Sequence, residues 1–297
     1  MNQLKPLYSR FLDLPEEYTS WDAALCCLIQ APFENTTSFQ LGTASGPQAT
    51  LRASEEIELY DIATGNDLSD LAICVSSAPK LAGLSTKDAL PLIEAQVDKA
   101  LGAHKWPLVV GGEQTVSYAA VRAIIKKFPE LCVVQLDAHL DLKDIYKGSN
   151  FSHRSASRRL LELGVSMLHV GARSYSRDEA EFALSASKRL TVFNDQDFRS
   201  SPEKLSALLS KIKIPIYLSV DMSVLDPSVC PGVSNPETSG LTWNELKAFV
   251  NTLFEKHTVV GADIVELSPI PGESRSELIA AQLAMTLFNL HQTGTTP

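Results

Sequence analysis

The chain has 297 residues, 44% of them hydrophobic, and a formal net charge of -9. That supports a sizeable core, while the acidic balance and the lack of a Lys/Arg block argue against nucleic acid or an anionic membrane as a partner. No apolar stretch reaches the roughly 20 residues that span a bilayer. The opening MNQLKPLYSRFLDLPEEY has no basic start followed by an apolar run, which argues against a secretory signal. Cys26, Cys27, Cys74, Cys132 and Cys230 are odd in number and sit inside apolar runs, as reduced thiols of a cytoplasmic protein do.

In chain order, short aliphatic runs alternate with amphipathic segments. A strand is expected at 107–110, then Gly111-Gly112-Glu113-Gln114 and a helix over 116–128. The next strand, 131–136, runs into Asp137-Ala138-His139-Leu140-Asp141, and a helix follows over 154–163. Strand 167–170 leads to Gly171-Ala172-Arg173-Ser174, then helix 178–187, strand 190–193 and helix 202–211. Strand 214–220 ends at Asp221-Met222-Ser223, helix 242–257 follows, and strand 258–265 ends at Glu266. A last helix covers 278–290, with Ser274 and Ser276 as candidate caps. Such alternation predicts an α/β fold with a mostly parallel sheet covered on both faces. No linker or repeat divides the chain, so residues 1–297 are expected to form one domain.

Asp137, His139 and Asp141 stand at alternate positions, and an extended segment would place all three on one side of the backbone. Carboxylate with imidazole, without thiolate, is the ligand mix of Mn, Fe or Zn hydrolase sites. Ligand sites of open α/β sheets lie outside the carboxyl ends of the strands, where the other polar clusters are also expected. Hydrogen-bonded carboxylates at strand ends give the same spacing without a metal. Asp226, in VLDP, reads as a turn cap. Arg173 reads as a structural pairing residue, and Asp263 as a buried structural carboxylate.

Six stretches, taken together, are more specific: 42–54, 109–121, 136–159, 169–174, 217–242 and 261–269. In this order they resemble the ureohydrolase (arginase/agmatinase) family, closest to its agmatinase branch. The resemblance implies a three-layer α/β/α sandwich on a parallel sheet of about eight strands, and a homo-oligomer, trimer or hexamer. It also implies a small guanidino substrate and a centre of Mn²⁺, one or two ions. By family logic Asp137 and Asp221 bridge the ions, Gln114 and Asp141 complete one set, and His139 and Ser223 the other. Gln114 stands where the family has histidine, and Ser223 where it has aspartate. Gln114 equally suits a helix N-terminus without a metal role.

The resemblance makes Glu266 the partner of the substrate guanidinium, Asp141 the proton-transfer carboxylate and His153 a proton shuttle to the leaving amine. Glu237 matches the agmatinase branch and is expected to help bind substrate. Arg154 follows His153 where the family has a small residue, a fixed charge that either opposes a cationic substrate or points outward. The implied activity is agmatinase-like: release of urea and an amine, agmatine to putrescine favoured. The alternative is a non-catalytic homologue with a structural or regulatory role.

Overall fold

The computed structural model describes residues 8–61 and 66–294. Its strands are Cys26–Ala31 (β1), Tyr60–Asp61 (β2), Asn66–Asp67 (β3), Ile73–Val75 (β4), Trp106–Gly111 (β5), Cys132–Leu136 (β6), Ser166–Val170 (β7), Leu190–Phe193 (β8), Ile216–Asp221 (β9) and Val259–Val265 (β10). Strands β2 and β3 form a small antiparallel ribbon. The other eight make one parallel sheet in the order β4-β1-β5-β10-β9-β6-β7-β8.

The helices are Glu16–Thr19 (α1), Gly46–Ser54 (α2), Thr86–Gly102 (α3), Thr115–Lys127 (α4), Ala156–Glu162 (α5), Arg177–Ser185 (α6), Asp195–Ser200 (α7), Pro202–Leu209 (α8), Trp243–Lys256 (α9) and Arg275–Gly294 (α10). Strand residues alternate between two cores, as a pleated backbone demands. Leu108 and Val110 of β5 join Leu51 of α2, Leu246 of α9 and Leu287 of α10 on one face. Val109 joins Ile93 of α3, Val121 of α4 and Leu160 of α5 on the other. Each fully buried aliphatic side chain of this kind is worth about 1.5–3 kcal/mol. The expected sandwich on a parallel sheet of eight strands is therefore what the chain forms.

Several local expectations also meet the structure. Thr242 and Glu245 form a reciprocal capping box that starts α9. Ser274 takes the position before α10, but Ser276 lies inside it and accepts from the Gly232 amide, so it is not the cap. All five cysteines are free and buried. No helix among the described residues is long and apolar enough to cross a membrane.

The order β5-β10-β9-β6 sets four central strand ends side by side, and the turn after β5 is unusually tight. Gly112 donates to the Ala31 carbonyl and Glu113 to the Phe33 carbonyl, both at 2.9 Å. A Cβ at 112 would lie 1.9 Å from the Phe33 carbonyl oxygen, a backbone atom with nowhere to go. Gly112→Ala is expected to cost at least about 3 kcal/mol. Thermal unfolding checks this, and a melting temperature equal to the parent's would show that the turn tolerates a side chain.

Candidate functional site

The predicted residues converge at those four strand ends. Gln114 follows β5, Glu266 follows β10, Asp221 closes β9 and Asp137 follows β6. One small cavity is lined by His139, Asp141 and Asp221 and, across it, by Glu266, Ser223 and His153. Arg154, Ser234 and Asn235 complete its wall. It holds about 10 Å³ of free space, room for one water or one small ion.

Backbone geometry aims two of these carboxylates. Asp141 has φ of 52° and Glu266 of 64°, both in the left-handed region that side chains other than glycine avoid. Such conformations cost on the order of 1 kcal/mol and cluster at functional sites. Glu266 is further held by the Gln114 amide at 2.6 Å, and the Ser234 hydroxyl donates to its other oxygen.

Asp137 is heavily committed within the protein. Its Oδ1 accepts from the His139 amide at 2.8 Å and from the Ser223 hydroxyl at 3.3 Å. Its Oδ2 accepts from Gln135 Nε2 at 3.0 Å, and Gln135 is oriented by the Ser157 hydroxyl. The His139 ring lies between carboxylates, with Nδ1 3.4 Å from Asp137 and Nε2 3.5 Å from Glu237. The Asp221 Oδ1 accepts from the Ser223 amide at 2.7 Å.

Gln114 takes its orientation from a buried serine pair. The Ser219 hydroxyl donates to Asp263, so its oxygen is left to accept from Gln114 Nε2, which also reaches Ser117. Gln114 Oε1 is consequently a fully buried acceptor without a partner, a costly arrangement unless something binds there.

Charge is poorly balanced in this enclosure. Burial, reinforced by Asp137 and Asp221, pushes the Asp141 carboxyl well above its ordinary range, with Arg154 opposing. Burial and Asp137 push Asp221 up to about 8, against His139 and Ser223. Burial and Asp221 raise Glu266, against Ser234 and the Gln114 amide. Asp137 moves the other way, because His139 and its hydrogen bonds outweigh burial. The His139 imidazole is raised in return, since Asp137 and Asp221 overcome its burial. Several carboxylates that resist ionisation around one hole mark it as a candidate functional site.

His153 sits in a hydroxyl cage that the sequence did not reveal. Thr36 gives its proton to Glu113, so the His153 Nδ1, 3.2 Å away, is the donor to Thr36. That leaves Nε2 as the acceptor for the Ser38 hydroxyl, also at 3.2 Å. Burial, with Arg154 and His139 nearby, lowers this imidazole to about 3, so it is neutral at pH 7. Thr36, Ser38 and Glu113 belong to the arrangement only because the loop after β1 folds over the turn after β5. Hydroxyl-rich loops are common, so the sequence carried no usable signal for them.

The structural readings of the remaining polar residues also meet the structure. Arg173 donates to the Ser223, Glu237 and Thr238 carbonyls and clamps two loops. Asp226 accepts from Ser228 and the Gly240 amide. Asp263 accepts from Tyr217 and Ser219 and lies away from the cavity lining.

The donors present do not fit the two-ion centre that the resemblance implies. At the second ion's position the Ser223 hydroxyl is turned onto Asp137, and serine supplies no charge. Among the described residues no group of three or more His, Cys, Asp or Glu side chains is arranged to hold an ion. By donor type the unpartnered Gln114 Oε1 and the carboxylates of Asp137, Asp141 and Asp221 are oxygens suited to one hard cation, though these three carboxylates too are not gathered here as a ligand set.

The fold and this cluster of acids at its central strand ends define the chain as a ureohydrolase. It belongs to the arginase family, whose model matches residues 24–289. It is 34% identical to the N(1)-aminopropylagmatine ureohydrolase of Synechocystis sp., over 92% of this chain and 91% of that protein. Identity to the agmatinase of Bacillus subtilis is 32%, over 84% of this chain and 86% of the relative. The agmatine ureohydrolase of Thermoplasma volcanium superposes with a TM-score of 0.82 at 26% identity, covering 97% of this chain and 96% of that one.

Proposed function

We propose that the chain is an amidinohydrolase of the agmatinase type, working with one oxygen-ligated cation in place of two ions. It cleaves a guanidinium carbon–nitrogen bond to release urea and an amine, with agmatine to putrescine the favoured reaction. The observation that carries this reading is the set of four buried carboxylates, Asp137, Asp141, Asp221 and Glu266, at three adjacent strand ends. Such a set is costly to keep in the absence of cationic ligands. Placement in the cytoplasm and assembly into trimers or hexamers are part of the same proposal.

A guanidinium is resonance-stabilised and resists attack by neutral water. Gln114, Asp137, Asp141 and Asp221 are the residues that would hold the cation, whose chemistry there would be to lower the pKa of a bound water. Glu266, fixed by the Gln114 amide and Ser234, pairs with the substrate guanidinium. Asp141 would be the carboxylate that takes the proton of the attacking water once a bound cation keeps it ionised. His153, a neutral ring held by Thr36 and Ser38, would act only as a relay, passing to the leaving amine the proton that Asp141 takes up. Glu237, beside His139 and partly exposed, faces the amine end of agmatine.

Purified protein incubated with Mn²⁺ is expected to retain about one ion per chain, by mass spectrometry, and to release urea from agmatine. Trace metal together with no urea from agmatine or N(1)-aminopropylagmatine would sink the proposal. A second reading, a non-catalytic homologue with a structural or regulatory role, is favoured by one observation: the Ser223 hydroxyl rests on Asp137 where the family places a carboxylate. Under it the chain folds and assembles but releases no urea.

A further inference from the structure

We infer that Arg154 is a built-in guanidinium that competes with other cations for this cavity and weakens their binding without abolishing it. The inference rests on the proposed reading in that guanidino compounds are the ligands it competes with. Arg154 lines the same small hole as Asp141, Asp221 and Glu266, and among the described residues it is the one arginine or lysine that does so. It does not point outward. Two loops grip it from opposite sides. Its Nη2 donates to Asn235 Oδ1 at 3.3 Å, and its guanidinium lies 6.0 Å from the centre of the Tyr146 ring.

The grip continues inward. Asn235 Nδ2 donates to the Ser234 hydroxyl at 3.0 Å, and that hydroxyl donates to Glu266. Arg154 is thereby tied through two side chains to the carboxylate that would pair with a substrate guanidinium. A guanidinium in this position takes space that a ligand needs, and it lays a like charge against any cation that enters. Specificity by repulsion needs no more than one fixed charge.

The test is calorimetric titration of agmatine, and separately of Mn²⁺, into the parent and into Arg154→Ala and Arg154→Lys. The alanine variant is expected to bind agmatine at least about tenfold more tightly than the parent and to take up Mn²⁺ at lower concentration. The lysine variant keeps the charge and is expected to stay within about threefold of the parent. If alanine does not fold, Arg154→Met keeps the stem without the charge and is expected to show the same gain. A folded, neutral variant that binds agmatine no better than the parent overturns the inference, and so does a lysine variant that gains as much as alanine. Tighter binding without any urea release leaves the inference standing and removes the hydrolase reading instead.

Discussion

The double variant Gln114→His/Ser223→Asp is expected to hold two Mn²⁺ ions per chain and to release urea from agmatine at least about a hundredfold faster than the parent. The reasoning starts from ligand chemistry. Imidazole binds first-row ions more strongly than a neutral amide oxygen, and a carboxylate at 223 adds the negative charge that a second dication needs. Even changes behind the ligands typically cost about 10–100-fold in affinity or activity, so restoring two ligands is expected to return more. Neither single change is expected to suffice. Ser223→Asp alone puts a third carboxylate beside Asp137 and Asp221, while Gln114→His alone breaks the hydrogen bonds to Ser117 and Ser219.

This variant also makes a stability prediction that is independent of turnover. Without metal, the extra carboxylate is expected to lower the melting temperature, because its neighbours already resist ionisation. Saturating Mn²⁺ is expected to reverse the loss, since a ligand at a hundred times its Kd stabilises the folded state by about 2.7 kcal/mol. Metal content after gel filtration and urea release decide the matter together. Failure to bind a second ion would show that positions 114 and 223 are not ligand positions. Two ions without urea would move the defect elsewhere, with Arg154 the first suspect.

Much of this site was legible in the sequence because its residues cluster at strand ends, and strand ends follow from apolar runs. The runs before Asp137, Asp221 and Glu266 are the buried strands β6, β9 and β10, so the convergence of these acids follows once the sheet is parallel. The reading missed β1 and β4, which are the short runs CCLIQA and ICV. β4 is only three residues long, and in β1 the paired cysteines and Gln30 break the aliphatic run that marked the other buried strands. Helix α3 escaped for another reason, since Pro91 interrupts its pattern within the helix. The orientation of Arg154 was open between opposing a substrate and facing solvent. No local pattern could choose, because Asn235 and Tyr146 come from distant parts of the chain. The unpartnered Gln114 oxygen was hidden for the same reason, being set by Ser219 and Asp263 across the sheet.

Asp221→Asn is expected to raise the melting temperature of the metal-free protein at pH 8 while weakening its hold on any cation. In the folded chain burial and Asp137 push Asp221 up to about 8, whereas an unfolded aspartate titrates near 3.8. A raised folded value means the folded state holds the proton more tightly. The stability it contributes is therefore fully present below about pH 4 and is lost as pH rises through about 8. Asp263, raised to about 6 by burial, and Asp141 and Glu266, also raised, act in the same direction. His153 and His291, lowered to about 3 and 4 by burial, act the other way as pH rises toward 6.5, so the fall owed to Asp221 is expected above about pH 6.5, once those rings are neutral in both states. Asparagine keeps an acceptor for the Ser223 amide but carries no charge, so the upper part of that slope flattens. Thermal melts at pH 5, 6, 7 and 8 give the slope for both proteins. A variant whose melting temperature falls from pH 7 to 8 as steeply as the parent's would show that Asp221 is not held as a strained buried acid. A functional residue whose removal stabilises the fold is what a cation site requires. The carboxylate is kept against the interest of the empty protein, and the ligand restores the balance when it binds.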